Sequence, residues 1–127
     1  MTYDYTIDVA RRLIVERWTG SVTLERLRAA LATIEQDPTF DPLFDAVSDY
    51  SEARLALTMD DLRAFQADVR SRGWPGQGRR AVVAPADLQF GVARQAQGLW
   101  QIDGLNVFRN AEDALDWLGA AAHGDDA

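Results

Sequence analysis

At 127 residues, 47% apolar and 26% charged, the chain matches one soluble domain able to bury a core without metals or disulfides. It has no cysteine, one histidine and no lysine, which removes Cys and Lys nucleophiles and Cys/His metal clusters. The net charge is −7, and the arginines are scattered apart from Arg11-Arg12 and Arg79-Arg80, which argues against nucleic acid or an anionic membrane surface as partner.

The single histidine, His123, lies in a Gly/Asp-rich stretch. No apolar run is long enough to span a membrane, and Met1-Thr2-Tyr3-Asp4 lacks the basic and apolar regions of a signal peptide. A cytoplasmic location is expected.

Tyr3, Tyr5, Ile7 and Val9 alternate with polar residues, the period of a strand with one wet face. A tight turn near Ala10-Arg11 leads into a second strand, Leu13 to Trp18, forming an antiparallel hairpin that Gly20 is expected to end. Thr23 caps a helix with Leu24, Leu27, Leu31 and Ile34 on one face, which Asp37-Pro38 stops. A third short strand is expected from Phe44 to Ser48.

Thr58-Met59-Asp60-Asp61 has the pattern of a capping box with aspartate as the acid, opening a second helix with Leu62, Phe65 and Val69 inward. Gly73 stops that helix. Ala81-Val82-Val83-Ala84 has the continuous apolar pattern of a strand covered on both faces. A third helix from Asp87 places Leu88, Val92, Ala96 and Leu99 inward, and Leu105 to Arg109 forms the last strand. Asn110 caps a final helix, with Asp113 at the capping-box position.

The order β-β-α-β-α-β-α-β-α predicts an α/β domain over residues 3–119. It has a single mixed sheet with flanking helices: the opening hairpin is antiparallel and the later βα units are parallel. Residues 120–127 are expected to form a disordered tail.

In this order, several segments resemble the bacterial SpoIIAA-like (STAS/Sec14-like) family. They are Tyr5-Thr6-Ile7 with Leu13-Ile14-Val15, Gly20-Ser21-Val22-Thr23, Asp49 closing the third strand, Arg80-Ala81-Val82-Val83-Ala84-Pro85, and Val107 through Leu118. The resemblance runs from Tyr5 to Leu118 and implies a mixed sheet flanked by helices, with no established enzymatic activity. The anti-sigma-factor antagonists of this family are phosphorylated on a serine in an Asp-Ser-Ser-Gly motif at the start of the second helix. Here the corresponding stretch is Leu57-Thr58-Met59-Asp60, which keeps one hydroxyl, Thr58, and loses the rest of the motif.

Candidate sites follow from residue type and place. Thr58 is a helix cap, and a candidate phosphosite on which Asp60 and Asp61 would act repulsively. Asp49, Tyr50 and Ser51 stand at the C-terminal end of a predicted parallel strand, so they are candidate ligand or partner contacts. The simpler role of Asp49 and Ser51 is to order a turn through side-chain to backbone bonds. Arg94 and Trp100 could form a polar anchor and an apolar wall between the third helix and the sheet, or else a solvated arginine and a core aromatic.

Arg72 to Arg80 is glycine-rich and basic, yet it lacks the Lys-Ser/Thr ending of a P-loop and precedes a strand. The neighbours Asp60-Asp61 and Asp125-Asp126 read as surface charge. Trp18, Tyr50, Trp74, Trp100 and Trp117 offer material for a dimer or partner surface.

These features predict a non-catalytic protein-interaction or regulatory module that binds a protein partner or homodimerises. The alternative is a carrier of a small apolar or lipid-type ligand. No cofactor, catalytic residue or metal ligand is expected.

Overall fold

The computed structural model describes residues 2–72, 78–84, 91, 94 and 104–126. Five strands form one mixed sheet: β1 (Tyr3–Asp8), β2 (Leu13–Val22), β3 (Asp45–Leu55), β4 (Arg80–Val83) and β5 (Leu105–Phe108). Three helices accompany it: α1 (Leu24–Glu35), α2 (Met59–Ser71) and α3 (Ala111–Asp126). Spatial order follows chain order, with β1 antiparallel to β2 and every later pair parallel. This is the α/β mixed sheet that the element order predicts.

The hairpin turn is closed by Arg12 N–H donating to Val9 O at 3.2 Å. Arg12 takes a left-handed φ of 54°. Its carbonyl accepts from Asp45 N–H, and its guanidinium lies over the Phe44 ring.

Parallel strands in sequential order, joined by right-handed crossovers, place their connecting helices on one face. Here α1 and α2 cover the face carrying Ile14, Trp18, Val22 and Ala46, through Leu27, Ala30, Ile34 and Phe65. The opposite face carries Leu13, Val47, Ala81 and Val83, and α3 closes it with Ala114 and Leu118. Each fully buried aliphatic side chain in these layers contributes about 1.5–3 kcal/mol.

Helix starts follow their local chemistry. Thr23 accepts from Arg26 N–H at the head of α1. At α2, Thr58 Oγ1 accepts from Asp61 N–H and Asp61 accepts from Thr58 N–H, a complete capping box. At the head of α3, Asn110 Oδ1 accepts from Asp113 N–H and Asn110 Nδ2 donates to Asp113 Oδ2. The helical backbone of α3 continues past Gly119 through the Ala/Gly/Asp-rich stretch.

Two strands are longer than expected. Gly20 does not end β2: its φ of 77° is accommodated within the strand, which pairs with β3 as far as Val22 and Leu55. Glycine has no Cβ to clash at positive φ, and each extension supplies the other's hydrogen-bond partners. Asp49 therefore lies inside β3, where the β4 ladder ends, and not at the end of the strand. The expected third helix falls outside the described residues except for Gly91 and Arg94, whose backbone is helical.

Candidate functional site

On β2, Ile14, Glu16 and Trp18 share the parity that faces α1 and α2, so the alternation carries a carboxylate into the core. Glu16 is 8% exposed, and Ser48, its register partner on β3, is 2% exposed. An unpartnered buried carboxylate costs several kcal/mol, so it must be surrounded by donors.

Three donors surround it. Tyr3 Oη donates to Glu16 Oε2 at 2.6 Å from β1. Ser48 Oγ donates to Oε1 at 2.8 Å from β3. Arg80 Nη1 reaches Oε1 at 2.9 Å from β4 and lies 3.0 Å from Ser48 Oγ. One carboxylate thereby ties four strands together.

Tyr50, two residues beyond Ser48 on β3, stacks on Trp18 with ring centroids 5.9 Å apart at 28°. Burial and the Glu16 charge push the Tyr50 phenol above the ordinary tyrosine range, against the opposing pull of Arg80 and a hydrogen bond with Ser48. The Tyr3 phenol is also raised, first by burial and then by the charge and hydrogen bond of Glu16. Both phenols stay protonated near neutrality. The cluster is therefore a saturated carboxylate beside protonated phenols, with a half-exposed guanidinium at its outer edge.

Of the residues singled out in the sequence, Asp49 and Ser51 come together. Asp49 Oδ1 accepts from Ser51 N–H at 2.9 Å and from the Ser51 hydroxyl. Strand alternation turns Tyr50 to the other face, into the cluster. Thr58 is exposed and occupied as a cap. Arg94 is exposed. Trp100 lies outside the described residues, and so does its pairing with Arg94. Trp18, counted among the aromatics for a partner surface, is 2% exposed and belongs to the core. Trp117 is half-buried against Phe108. Trp74 also lies outside the described residues.

Sequence inspection passed over Glu16 and Arg80 as site residues. The available signal was the charge at a core-parity position between Ile14 and Trp18. Among the described residues no group of three or more His, Asp or Glu side chains is placed to hold a metal ion, and no helix is long and apolar enough to cross a membrane.

No protein-family model matches the chain, and no curated protein does. Solved structures do. An uncharacterised protein of the DUF3478 family from Shewanella loihica PV-4, with a SpoIIAA-like fold, aligns over 92% of both chains at 20% identity with a TM-score of 0.61. The unphosphorylated anti-sigma factor antagonist SpoIIAA aligns over 92% of this chain and 97% of its own at 15% identity, TM-score 0.52. The mixed sheet, its strand order and its two helical layers thus form a SpoIIAA-like fold.

Proposed function

We propose that the chain is a non-catalytic protein-interaction or regulatory module. The observation that supports this most is the near end-to-end likeness of its fold to an anti-sigma factor antagonist. The polar cluster fits the same reading. Its carboxylate oxygens already hold three donors, and its phenols are kept protonated, so it serves better as a tie across the sheet than as an acid, base or nucleophile.

The contact surface in this reading is the N-terminal end of α2. Thr58 and Asp60 are exposed there, and Met59, 37% exposed, is one of four exposed large apolar side chains among the described residues. Thr58 would be the residue at which a phosphate regulates the contact. The capping box and the charges of Asp60 and Asp61 act against that modification.

Cross-linking mass spectrometry on the chain in its own cells tests the proposal. One protein partner is expected, with cross-links mapping to the start of α2, and Met59→Asp should abolish the complex without altering the melting temperature. A chain that stays free, or a complex indifferent to Met59→Asp, overturns the assignment. Native mass spectrometry of the same material covers the rest: a copurifying apolar ligand would favour the carrier, a phosphate-sized increment would favour the phospho-switch, and a doubled mass would identify the homodimer.

A further inference from the structure

Three of the four exposed large apolar side chains stand beside charges of one sign. At one end of the sheet the hairpin turn meets the segment before β3. Arg12 O accepts there from Asp45 N–H, and the Arg12 guanidinium lies 5.4 Å from the centre of the Phe44 ring. Val9, 54% exposed, is on that turn, and Leu43, 50% exposed, is next to Phe44. Arg11 and Arg12 are exposed with them, and among the described residues neither guanidinium meets a carboxylate.

The third is Leu115 on α3, 41% exposed. Ala114 and Leu118 turn into the core, which puts Glu112, Leu115 and Asp116 together on the outward face. Asp113 is taken up by the Asn110 cap, whereas Glu112 and Asp116 meet no cation among the described residues. The two patches are opposite in sign and alike in form, each an apolar surface flanked by a pair of like charges.

Each patch also carries a cost that its own chain leaves standing. Arg12 holds a left-handed φ of 54°, which glycine or asparagine would adopt more readily. Glu112 and Asp116, one helical turn apart, repel each other. The net charge of −7 opposes self-association at long range, so a contact between copies needs a local reversal of sign, and Arg11-Arg12 supplies it.

We infer that the two patches bind each other between copies of this chain, head to tail: the Glu112, Leu115 and Asp116 face of α3 docks on the Arg11-Arg12 turn of the next copy, beside Val9 and Leu43. A helix face turned away from the sheet does not reach a turn of that same sheet, so the contact is intermolecular. Because the two surfaces differ, every pair leaves one of each free, and association continues past the dimer to a ring or a filament. The few side chains on each side make the contact a small and weak one. It is separate from the contact proposed at the start of α2.

Sedimentation equilibrium of the full chain over a wide range of concentration tests the inference. The weight-average mass should climb with concentration beyond that of a dimer. Arg11→Gln with Arg12→Gly removes both guanidiniums together with the strained φ, and Glu112→Gln with Asp116→Asn neutralises the other patch. Each double variant alone should associate at least about tenfold more weakly. Mixed in equal amounts, the two should form a dimer and nothing larger, since one intact pair of patches remains. Met59→Asp should leave the parent behaviour unchanged. A parent chain that stays monomeric or stops at a dimer overturns the inference. So does a mixture no heavier than its parts, or a Met59→Asp chain that no longer associates. The parent concentration series is decisive even if a variant unfolds.

Discussion

Arg80 Nη1 lies 2.9 Å from Glu16 Oε1 although β3 separates the strands that carry them. The guanidinium reaches across that strand, where the same Nη1 lies 3.0 Å from Ser48 Oγ. The ion pair therefore ties three strands, and Tyr3 extends the tie to a fourth.

Removing one member leaves the other's charge without its partner. Arg80→Met is expected to destabilise the chain by roughly 1.5–3 kcal/mol, the range for a hydrogen bond to a charged group. This is less than the cost for a fully buried pair, because Arg80 is 39% exposed. The double variant Glu16→Leu with Arg80→Met should recover part of that loss. Urea denaturation measures both, and an Arg80→Met chain within 0.5 kcal/mol of the parent, taking about that as the neutral limit, refutes the pairing.

Gly78 and Gly104 make a matched pair of tests. A Cβ at Gly78 would meet Phe44 O at 2.1 Å, whereas at Gly104 the nearest atom is Arg79 Cα at an ordinary 3.6 Å. Gly78→Ala should cost about 1–3 kcal/mol through a forced backbone shift at the β3–β4 entry. Gly104→Ala should stay within about 0.5 kcal/mol. Thermal melts of the two variants side by side check the contrast, and equal melting temperatures would count against the close approach.

Thr58→Ala removes the hydroxyl that accepts from Asp61 N–H and should cost about 1 kcal/mol. Thr58→Asp restores an acceptor at the cap and should lie within about 0.5 kcal/mol of the parent. If Thr58→Asp also abolishes partner binding at parental stability, its effect is one of charge at the contact surface and not of folding. Equilibrium unfolding together with a binding measurement separates the two.

The chain has three tyrosines, and all three phenols are raised. Tyr3 and Tyr50 are raised first by burial, Tyr5 first by its hydrogen bond to Asp37. A raised phenol keeps its proton in the folded state above pH about 10, where the unfolded chain loses it. Stability is thus fully present below that pH and falls as pH rises beyond it. Absorbance titration should show Tyr3 and Tyr50 ionising only together with loss of ellipticity. A phenolate signal from more than one tyrosine with a midpoint near about 10 in the folded chain would contradict the buried cluster.

Much of the architecture is visible in local pattern, because local pattern records which face of each element meets water. Tyr3, Tyr5 and Ile7 alternate and form β1. Ala81 to Val83, apolar throughout, lie in β4, with Ala81 and Val83 buried under α3. Thr23, Thr58 and Asn110 all start helices, since caps bond only three residues ahead. The second half of β3 was not visible: Ser51, Glu52 and Arg54 are polar, and they become strand because Thr19 to Val22 run alongside them.

The sequence by itself determined the element order, the parallel and antiparallel pairings expected of short and long connections, and the absence of cysteine and lysine chemistry. Tertiary structure alone decided the strand order and the carboxylate tie. Glu16 stands out locally only as a charge on a core-facing parity. Which groups stabilise it depends on Tyr3, Ser48 and Arg80, the last 64 positions away. Contacts between such distant residues follow from how the sheet is assembled, and no periodicity along the chain encodes them.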